Sequence, residues 1–390
     1  MSHTVRLHID LDALRANYRF YASLRQKNGH PLKIIPMIKA NAYGHDIYRV
    51  ASALENDLEE NLRPDFMGTG SVAEALSLRQ KQIRTPLLAF LGCFSQQEMQ
   101  EAYTHNIIPL IHDKLSLSWA QAICPEKSQQ TTPFKIALKF DTGMSRFGFS
   151  KEDIPFLIEQ LSKTPFIEPV LALSHFAASD NELENKFSNR QASLFQEICD
   201  KLHQSFPYLK TSLANSAGAL AFQDLPFDYI RLGFGLYGGN PFEGSRNESL
   251  ASFLKPVMTG SAPVLEIRTL KAGQTVSYNR TFTAEKSMKI AVIGLGYANG
   301  YPRSLSNKAH LIIHGEKAHI VGRVCMETLL VDITGIENVK PFDTAWFLGA
   351  GKEDKNAVSV YELAHAAQMI PYELWCNLGN NSENDKFFGD

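Results

Sequence analysis

The feature that most constrains the fold is a series of eight short apolar runs in the first two thirds of the chain. Segments such as SVAEALSLRQ and KEDIPFLIEQLSK lie between them and have apolar residues three and four positions apart, as in amphipathic helices. A short apolar run is typical of a parallel strand that is buried on both faces. We therefore predict strands at residues 32–39, 65–70, 87–92, 107–112, 134–140, 170–176, 211–216 and 229–235.

Strands that alternate with helices form either a closed (β/α)8 TIM barrel or an open doubly wound sheet. Eight strands within roughly 200 to 250 residues match the barrel, which we favour. Pro36 and Pro109 fall inside predicted strands, and because proline cannot donate to a strand ladder, we expect a bulge or a strand boundary at each. Ser71 and Glu74 are predicted to form a capping box at the start of a helix.

The pattern changes after about residue 245, where apolar runs follow one another with turn residues between them. One helical segment, VSVYELAHAAQM, interrupts these runs. The polar stretch 240–249 is the best linker candidate, so we expect a barrel domain at 1–242 and a mostly β domain at 243–390. The polar tail, 379–390, is expected to be frayed.

Charge and cysteine content narrow the range of partners. The chain has 39 Lys and Arg against 41 Asp and Glu, a net charge of −2, and no basic run that would indicate nucleic acid or an anionic membrane. The N-terminal sequence has charges where a signal sequence would be apolar, and no run is long enough to span a bilayer, so we expect a cytoplasmic protein that binds small polar ligands. The scattered cysteines indicate packing thiols and neither a disulfide framework nor a metal site: Cys93, Cys124, Cys199, Cys325 and Cys376.

Unusual polar residues mark the ends of several predicted strands. Any one of them alone would more often be a solvated charge or a hydrogen-bonded core residue. In a parallel barrel, however, the carboxyl ends of the strands meet at one rim, where active sites form. We therefore predict a site at this rim that contains Lys39, Lys139, His175, Asn215, Ser216 and Arg231.

A lysine and glycine-rich turns at such a rim are what pyridoxal 5'-phosphate requires. Lys39 supplies an amine for a Schiff base, and the turn at Gly233–Gly239 offers backbone N–H groups to a phosphate. An arginine near the pyridine nitrogen would disfavour protonation of that nitrogen and weaken the ring as an electron sink. Either piece alone would be a weak signal, and the combination favours this cofactor.

With these residues in view, the sequence resembles the alanine racemase family of fold type III pyridoxal phosphate enzymes. IKANAYGH is similar to that family's cofactor signature, and LKFDTGMSRFG, SHFAASD, LANSAG, IRLGFGLYG, VSYNRTF, GLGYANGYPR and VGRVCME follow in the family's order. The resemblance covers almost the whole chain. It implies an N-terminal barrel, a C-terminal β domain and an isomerase that interconverts L- and D-alanine, supplying D-alanine for peptidoglycan. It also implies a homodimer in which each site is completed by the partner's C-terminal domain.

The resemblance implies two catalytic bases. Lys39 would bind the cofactor and exchange the α-proton on one face, and the partner subunit's Tyr278 would be the base on the other face. Bases on opposite faces are what stereoinversion needs, since one base tends to return the proton to the face that it left. A chain from Tyr278 through His175 to Arg231 would lower the pKa of the tyrosine.

The remaining roles follow from the same resemblance. Arg231 would face the pyridine nitrogen, and Arg146 would meet the cofactor's phenolic oxygen and the substrate carboxylate, helped by the partner subunit's Met326. Lys139 matches a position that is carbamylated in many relatives. Tyr297 and Tyr301 would line the substrate entrance, or only end a strand. The implied phosphate-binding set is Tyr43, Ser216, Gly233 and Phe234.

Several positions depart from the family pattern: Asp46, Asn299, Glu327, Asn380 and Asn381. The last two stand where the family frequently has a Tyr-Arg pair, and a smaller amide would enlarge the pocket, so a serine or broad-specificity racemase stays open. A fold type III amino-acid decarboxylase shares the barrel and lysine but would want a catalytic cysteine and carboxylates for a distal ammonium. A non-catalytic cofactor-binding protein of this barrel type normally stops after the barrel.

Overall fold

The computed structural model describes residues 5–24, 32–123, 133–222, 224–351 and 354–389, so the prediction for Cys124 lies outside the described residues. The chain divides into two compact units. We call Arg15–Ala42 with Ile47–Leu254 the barrel unit, and Met1–Leu14 with Tyr43–Asp46 and Lys255–Asp390 the sheet unit.

The strands and helices have the following bounds. The strands are β1 (Arg6–Asp10), β2 (Lys33–Pro36), β3 (Met67–Thr69), β4 (Leu87–Ala89), β5 (Ile107–Ile111), β6 (Phe134–Lys139), β7 (Ile167–Leu173), β8 (Lys210–Ser212), β9 (Tyr229–Leu232), β10 (Met258–Leu270), β11 (Thr275–Val276), β12 (Phe282–Thr283), β13 (Met288–Ile293), β14 (His310–Ile313), β15 (Glu316–His319), β16 (Leu329–Asp332), β17 (Thr344–Leu348) and β18 (Asp385–Gly389). The helices are α1 (Leu11–Ser23), α2 (Lys39–Tyr43), α3 (Ile47–Asn56), α4 (Val72–Gln80), α5 (Gln96–Thr104), α6 (Lys114–Gln121), α7 (Ile154–Ser162), α8 (Asn185–His203), α9 (Ser216–Ala221), α10 (Val360–Ala367) and α11 (Pro371–Gly379). None of these helices combines the length and apolar composition needed to cross a bilayer.

The barrel unit contains the predicted eight-stranded parallel sheet, in the order β2-β9-β8-β7-β6-β5-β4-β3. A single parallel bridge between Met37 and Gly68 joins its two ends, so the sheet closes almost completely into a barrel. Each predicted apolar run contains or overlaps one of these strands, with β7 and β8 starting before their runs. The prediction succeeds because strands covered on both faces must be apolar at nearly every position. The (β/α)8 TIM barrel is confirmed.

The prolines affect the barrel differently from what we expected. Pro36 is the last residue of β2, which confirms a boundary there. Pro109 lies inside β5 opposite Ala89 without a register shift, so the expected bulge or boundary is wrong at that position. β5 pairs with β6 only from Leu110 onward, so the missing N–H of Pro109 falls outside that ladder. The shift in register falls instead after Pro169 of β7.

The sheet unit is mostly β, as predicted. Strands β15-β14-β17-β10-β1-β18 form its sheet, β13 pairs with β10 and β16, and β11 pairs with β12. The long strand β10 organises the sheet, because it pairs with β1, β13 and β17. Buried apolar side chains beside the β11–β12 pair form a core cluster: Val276, Ala284, Met288, Ile290 and Val321.

The polar tail is not frayed, in contrast to the prediction. Residues Asp385–Gly389 form β18, which pairs in parallel with β1. Phe387 stacks on His8 with ring centroids 5.5 Å apart, and the Arg6 guanidinium lies 5.6 Å from the Phe387 centroid. These aromatic and cation–π contacts hold a segment that is polar by composition.

Candidate active site

The predicted site residues of the barrel unit lie at the carboxyl end of its strands. Lys139 ends β6, His175 follows β7, and Arg231 lies in β9. Lys39 follows β2, and Ser216 begins α9 just after β8. Because the strands are parallel, their carboxyl ends share one rim. Four of these five side chains also interact electrostatically, since Arg231, Lys139 and Lys39 all affect the pKa of His175.

Arg231 is the buried anchor of the site, with an exposed fraction of 4%. Its Nη1 donates to Ser212 Oγ at 2.7 Å, and its Nη2 donates to the carbonyls of Ser174 at 2.6 Å and Leu213 at 3.1 Å. Burial, followed by the charge of Arg146, lowers the pKa of Arg231 to about 9. The guanidinium therefore stays protonated at neutral pH and is fixed in orientation.

His175 is held in one tautomer by this arginine. Its Nδ1 lies 2.7 Å from Arg231 Nη2, and because a guanidinium only donates, Nδ1 accepts and the ring proton of the neutral imidazole is on Nε2. Burial holds the pKa of His175 well below its ordinary value, and Arg231, Lys139, Arg146 and Lys39 depress it further. The site thus presents a neutral imidazole with Nε2–H as a donor.

Gln191 of α8 fixes the backbone around His175 and was missed in the sequence. The side chain has an exposed fraction of 1%. Its Nε2 donates to the His175 carbonyl at 3.0 Å and to Thr142 Oγ1 at 3.4 Å, and its Oε1 accepts from Ala177 N–H at 3.0 Å. A buried glutamine on a helix has no sequence motif, so only its polarity among the apolar positions of α8 could have signalled it.

Lys139 is buried beside the arginines. Burial, followed by the charges of Arg231 and Arg146, holds the pKa of Lys139 well below its ordinary value, which favours the neutral amine. Arg146 lies exposed on the loop after β6. Asp141 shapes that loop, since its Oδ1 accepts from the N–H groups of three consecutive residues, 143 to 145.

Ser216 and the glycine-rich turn form a small polar cradle. Ser216 Oγ accepts from the N–H groups of Gly233 and Gly235, each at 3.2 Å, and Phe234 starts a short 3-10 turn between them. A Cβ on Gly235 would lie 2.4 Å from the Tyr21 hydroxyl, so only glycine permits this close packing. Asn215 caps α9, with its Oδ1 accepting from Gly218 N–H at 2.8 Å.

The chain leaves Lys39 through a left-handed turn. Ala40, Asn41, Ala42 and Tyr43 have φ values of 53°, 54°, 54° and 54°. This conformation costs roughly 1–2 kcal/mol for each residue with a Cβ, so the surrounding structure must impose it. Within the barrel unit, Ala42 N–H donates to the Ile38 carbonyl at 2.7 Å, and Asn41 Oδ1 accepts from Ile47 N–H at 2.8 Å.

These residues fit pyridoxal phosphate. Besides burial, the charges of Arg231, Arg146 and Lys39 lower the pKa of His175, so the rim is positive and suits a ligand that carries a phosphate and a phenolate. A hydroxyl and backbone N–H groups are phosphate donors, a donor-only guanidinium suits a pyridine nitrogen, and an amine suits an aldehyde carbon. The chemistry of the side chains therefore matches each functional group of the cofactor.

The other predicted site residues belong to the sheet unit. Tyr278 is 70% exposed, and Tyr297 and Met326 are also exposed. Contacts of neighbouring residues bring them together. Tyr297 N–H donates to the carbonyl of Cys325, which precedes Met326. The Oγ of Ser277, which precedes Tyr278, lies 3.4 Å from Cys325 Sγ. Apart from Tyr43, which is buried and belongs to the sheet unit, the structure groups the predicted residues into a barrel-rim set and a surface set on the sheet unit.

Tyr301 does not line an entrance. It is fully buried, and its ring packs edge-on against Phe347 with centroids 5.8 Å apart. Burial excludes contact with a passing substrate, so the entrance role expected for Tyr301 is wrong and the residue belongs to the core. Tyr297 alone of this pair is exposed.

The asparagines that depart from the family pattern hold the turn at 297–299. Asn299 Oδ1 accepts from Gly296 N–H at 3.0 Å, and Asn299 Nδ2 donates to Asn384 Oδ1 at 3.2 Å. Asn381 Nδ2 donates to the Ala298 carbonyl. These amides pair with one another and with the backbone, so they brace the turn that carries Tyr297.

The fold is a (β/α)8 barrel with a mostly β second domain, and the residues at the barrel rim fit pyridoxal phosphate. The families described as "Alanine racemase, N-terminal domain" and "Alanine racemase, C-terminal domain" match residues 9–241 and 257–385. The chain therefore belongs to the alanine racemase family.

Individual relatives agree. An alanine racemase of Lawsonia intracellularis is 40% identical over 97% of both chains. A catabolic alanine racemase of Pseudomonas putida is 33% identical over 95% of both. The crystal structure of alanine racemase from Bartonella henselae with covalently bound pyridoxal phosphate is 27% identical, with a TM-score of 0.83 and full coverage of both chains.

Proposed function

We propose that this protein interconverts L- and D-alanine with pyridoxal phosphate as its cofactor. The observation that carries the proposal is the combination, at one barrel rim, of Lys39, the Arg231–His175 pair and the cradle of Ser216 with Gly233. When bound, the cofactor makes the α-hydrogen of alanine acidic enough to be removed. Everything else in the reaction is done by residues of the chain.

Two residues are proposed to move the proton. Lys39 holds the cofactor covalently and, once released by substrate, takes or returns a proton at Nζ on one face of the α-carbon. The partner subunit's Tyr278 does the same at its phenolic oxygen on the opposite face. Because the two bases lie on opposite faces and differ in kind, a proton taken by one is replaced by the other, which inverts the centre.

The Arg231–His175 pair is proposed to act both on the ring nitrogen of the cofactor and on the pKa of Tyr278. Arg231 faces the ring nitrogen and, as a donor-only cation held by three protein acceptors besides His175, keeps that nitrogen unprotonated. His175 has its Nε2–H available to stabilise the phenolate of Tyr278, which lowers the pKa of the tyrosine.

Binding is proposed to use the other residues of the rim. Arg146, with the partner subunit's Met326, binds the substrate carboxylate, and Tyr297 lines the entrance. The neutral amine favoured at Lys139 can add carbon dioxide with loss of a proton, and the resulting carbamate would pair with Arg146. The phosphate is held by Tyr43, Ser216, Gly233 and Phe234.

A homodimer with shared sites completes the proposal. It is supported by the exposure of Tyr278, Tyr297 and Met326 on the sheet unit, where large apolar side chains are normally covered. In this proposal residues 1–242 carry the cofactor and residues 243–390 complete the partner's site. A cytoplasmic location and the supply of D-alanine for peptidoglycan are parts of the same proposal.

Incubation of the purified protein with L-alanine in deuterated water tests the function. We expect deuterium at the α-carbon and formation of D-alanine, and neither with Lys39→Ala. L-serine and L-lysine serve as competing substrates for a broader racemase and for a decarboxylase. Evolution of carbon dioxide, or the absence of exchange with alanine, would contradict the proposal.

A further inference from the structure

We propose that Glu74 is a positioning residue for Lys39, because its carboxylate ties down the left-handed turn into which Lys39 leads. The inference rests on the proposed role of Lys39 and adds to it a residue outside the cofactor-binding set. Glu74 lies in the first turn of α4, the second α-helix after the one that begins at Lys39.

The carboxylate of Glu74 bridges two chain segments. Its Oε2 accepts from Gly70 N–H at 2.7 Å, and its Oε1 accepts from Asn41 N–H at 3.1 Å. The predicted capping box is therefore only half correct. Ser71 Oγ accepts from Glu74 N–H at 3.2 Å as expected, but the carboxylate bonds to Gly70 and Asn41. One of its oxygens thus stabilises the helix start and the other stabilises the strained turn.

The bridge lies directly beside Lys39. A Cβ placed on Gly70 would be 3.1 Å from Glu74 Oε2 and 3.5 Å from the Cβ of Lys39. The backbone that Glu74 holds is therefore in close proximity to the stem of the lysine. A displacement of Glu74 would release the backbone on both sides of that stem.

The barrel is also weakly joined at this point. The sheet ends β2 and β3 are joined by the single Met37–Gly68 bridge, in which Ile38 N–H donates to the Gly68 carbonyl at 2.8 Å. With so little ladder between the two strands, the direction of the chain after Ile38 depends on side-chain ties. Glu74 provides one such tie, and its negative charge makes both hydrogen bonds charge-assisted.

The chain offers a matched control in Glu98 of α5. Ser95 Oγ accepts from Glu98 N–H at 3.1 Å, and Glu98 Oε2 accepts from Phe94 N–H at 2.7 Å. Glu74 makes the same two bonds at the start of α4 and adds the bond from Asn41. A comparison of the two glutamates therefore separates helix capping from positioning of the Lys39 turn.

The experiment compares holoenzyme of Glu74→Ala and Glu98→Ala by amide hydrogen exchange and by kinetics. We expect exchange at Asn41 to accelerate about tenfold or more in Glu74→Ala only, because its N–H loses its acceptor. We expect kcat to fall roughly 10- to 100-fold in Glu74→Ala while KM changes little, since a misplaced base costs rate more than binding. Glu74→Gln keeps one acceptor oxygen and should recover part of both effects.

Equal exchange at Asn41 in the two alanine variants would overturn the inference, and so would faster exchange with unchanged kcat. If Glu74→Ala fails to fold, the same comparison is made between Glu74→Gln and Glu98→Gln. The exchange measurement needs no turnover, so it distinguishes failure of this inference from failure of the proposed racemisation, which the wild-type assay tests.

Discussion

Replacement of Gln191 by leucine tests whether the position of His175 depends on the helix behind it. Leucine is similar in volume to glutamine but can make none of the three hydrogen bonds that Gln191 makes. The N–H of Ala177 and the carbonyl of His175 would each lose a well-placed, partly buried partner.

The expected cost follows from these contacts. The two bonds of 3.0 Å are partly buried, and each group left unpaired costs about 1–3 kcal/mol, whereas the bond to Thr142, at 3.4 Å, adds little. We expect a loss of about 2–6 kcal/mol in the free energy of unfolding. Gln121 is the matched control, because its Nε2 donates to the Gln160 carbonyl at 3.3 Å and to Thr164 Oγ1 at 3.5 Å, far from the rim. At these distances Gln121→Leu should cost about 1 kcal/mol or less.

Urea denaturation measures the two stabilities, and racemisation of alanine measures the effect on the site. We expect kcat to fall by about tenfold or more in Gln191→Leu, because the imidazole is no longer held against Arg231, and to be unchanged in Gln121→Leu. If both variants are equally stable and equally active, Gln191 does not position His175 and the reasoning is refuted.

Three further predictions concern the site. Borohydride reduction of the holoenzyme should attach the cofactor to the peptide that contains Lys39, and a label on Lys139 would overturn that assignment. Tyr278→Phe should retain cofactor yet lose roughly 10²-fold or more of activity, and mixing with Lys39→Ala should restore some, unless the sites are not shared between subunits. The pKa of His175 lies well below its ordinary value of 6.5, so the folded state resists a proton that the unfolded chain accepts, and stability should fall as pH drops from 7 to 5. His175→Gln should lose less stability over that range, and an equal loss would show that other groups account for the acid sensitivity.

The barrel could be predicted because its strands carry their own signal. Most of the buried parallel strands are short and apolar, and each predicted run contains or overlaps a strand, although β8 (Lys210–Ser212) is itself polar. Their limits were less accurate. β7 begins at Ile167, three residues before the predicted start, because Glu168 and Pro169 interrupt the apolar run. These residues still belong to the strand because they pair with β6. Such pairing between strands cannot be read from the local sequence.

The rim positions of Lys39 and Arg231 followed from the predicted strands, and their roles in the site stay predictions. The left-handed turn was not predictable, because Ala40 and Ala42 have no preference for positive φ and adopt it only under tertiary constraint. Asp46, at φ 76°, shows the same effect at a position where relatives often have glycine. Glu74 and Gln191 act through distant backbone groups, which a linear sequence does not reveal.

The pairing of β1 with β18 has a consequence for how the protein is made. One edge of β1 must wait for β18, because nearly all the described residues lie between the two strands, whereas its other edge pairs with β10. At roughly 5–20 residues per second, that interval is on the order of tens of seconds. The barrel unit can fold meanwhile, whereas the edge of β1 stays open to unwanted partners. Chains truncated before Asp385 should therefore depend most strongly on chaperones.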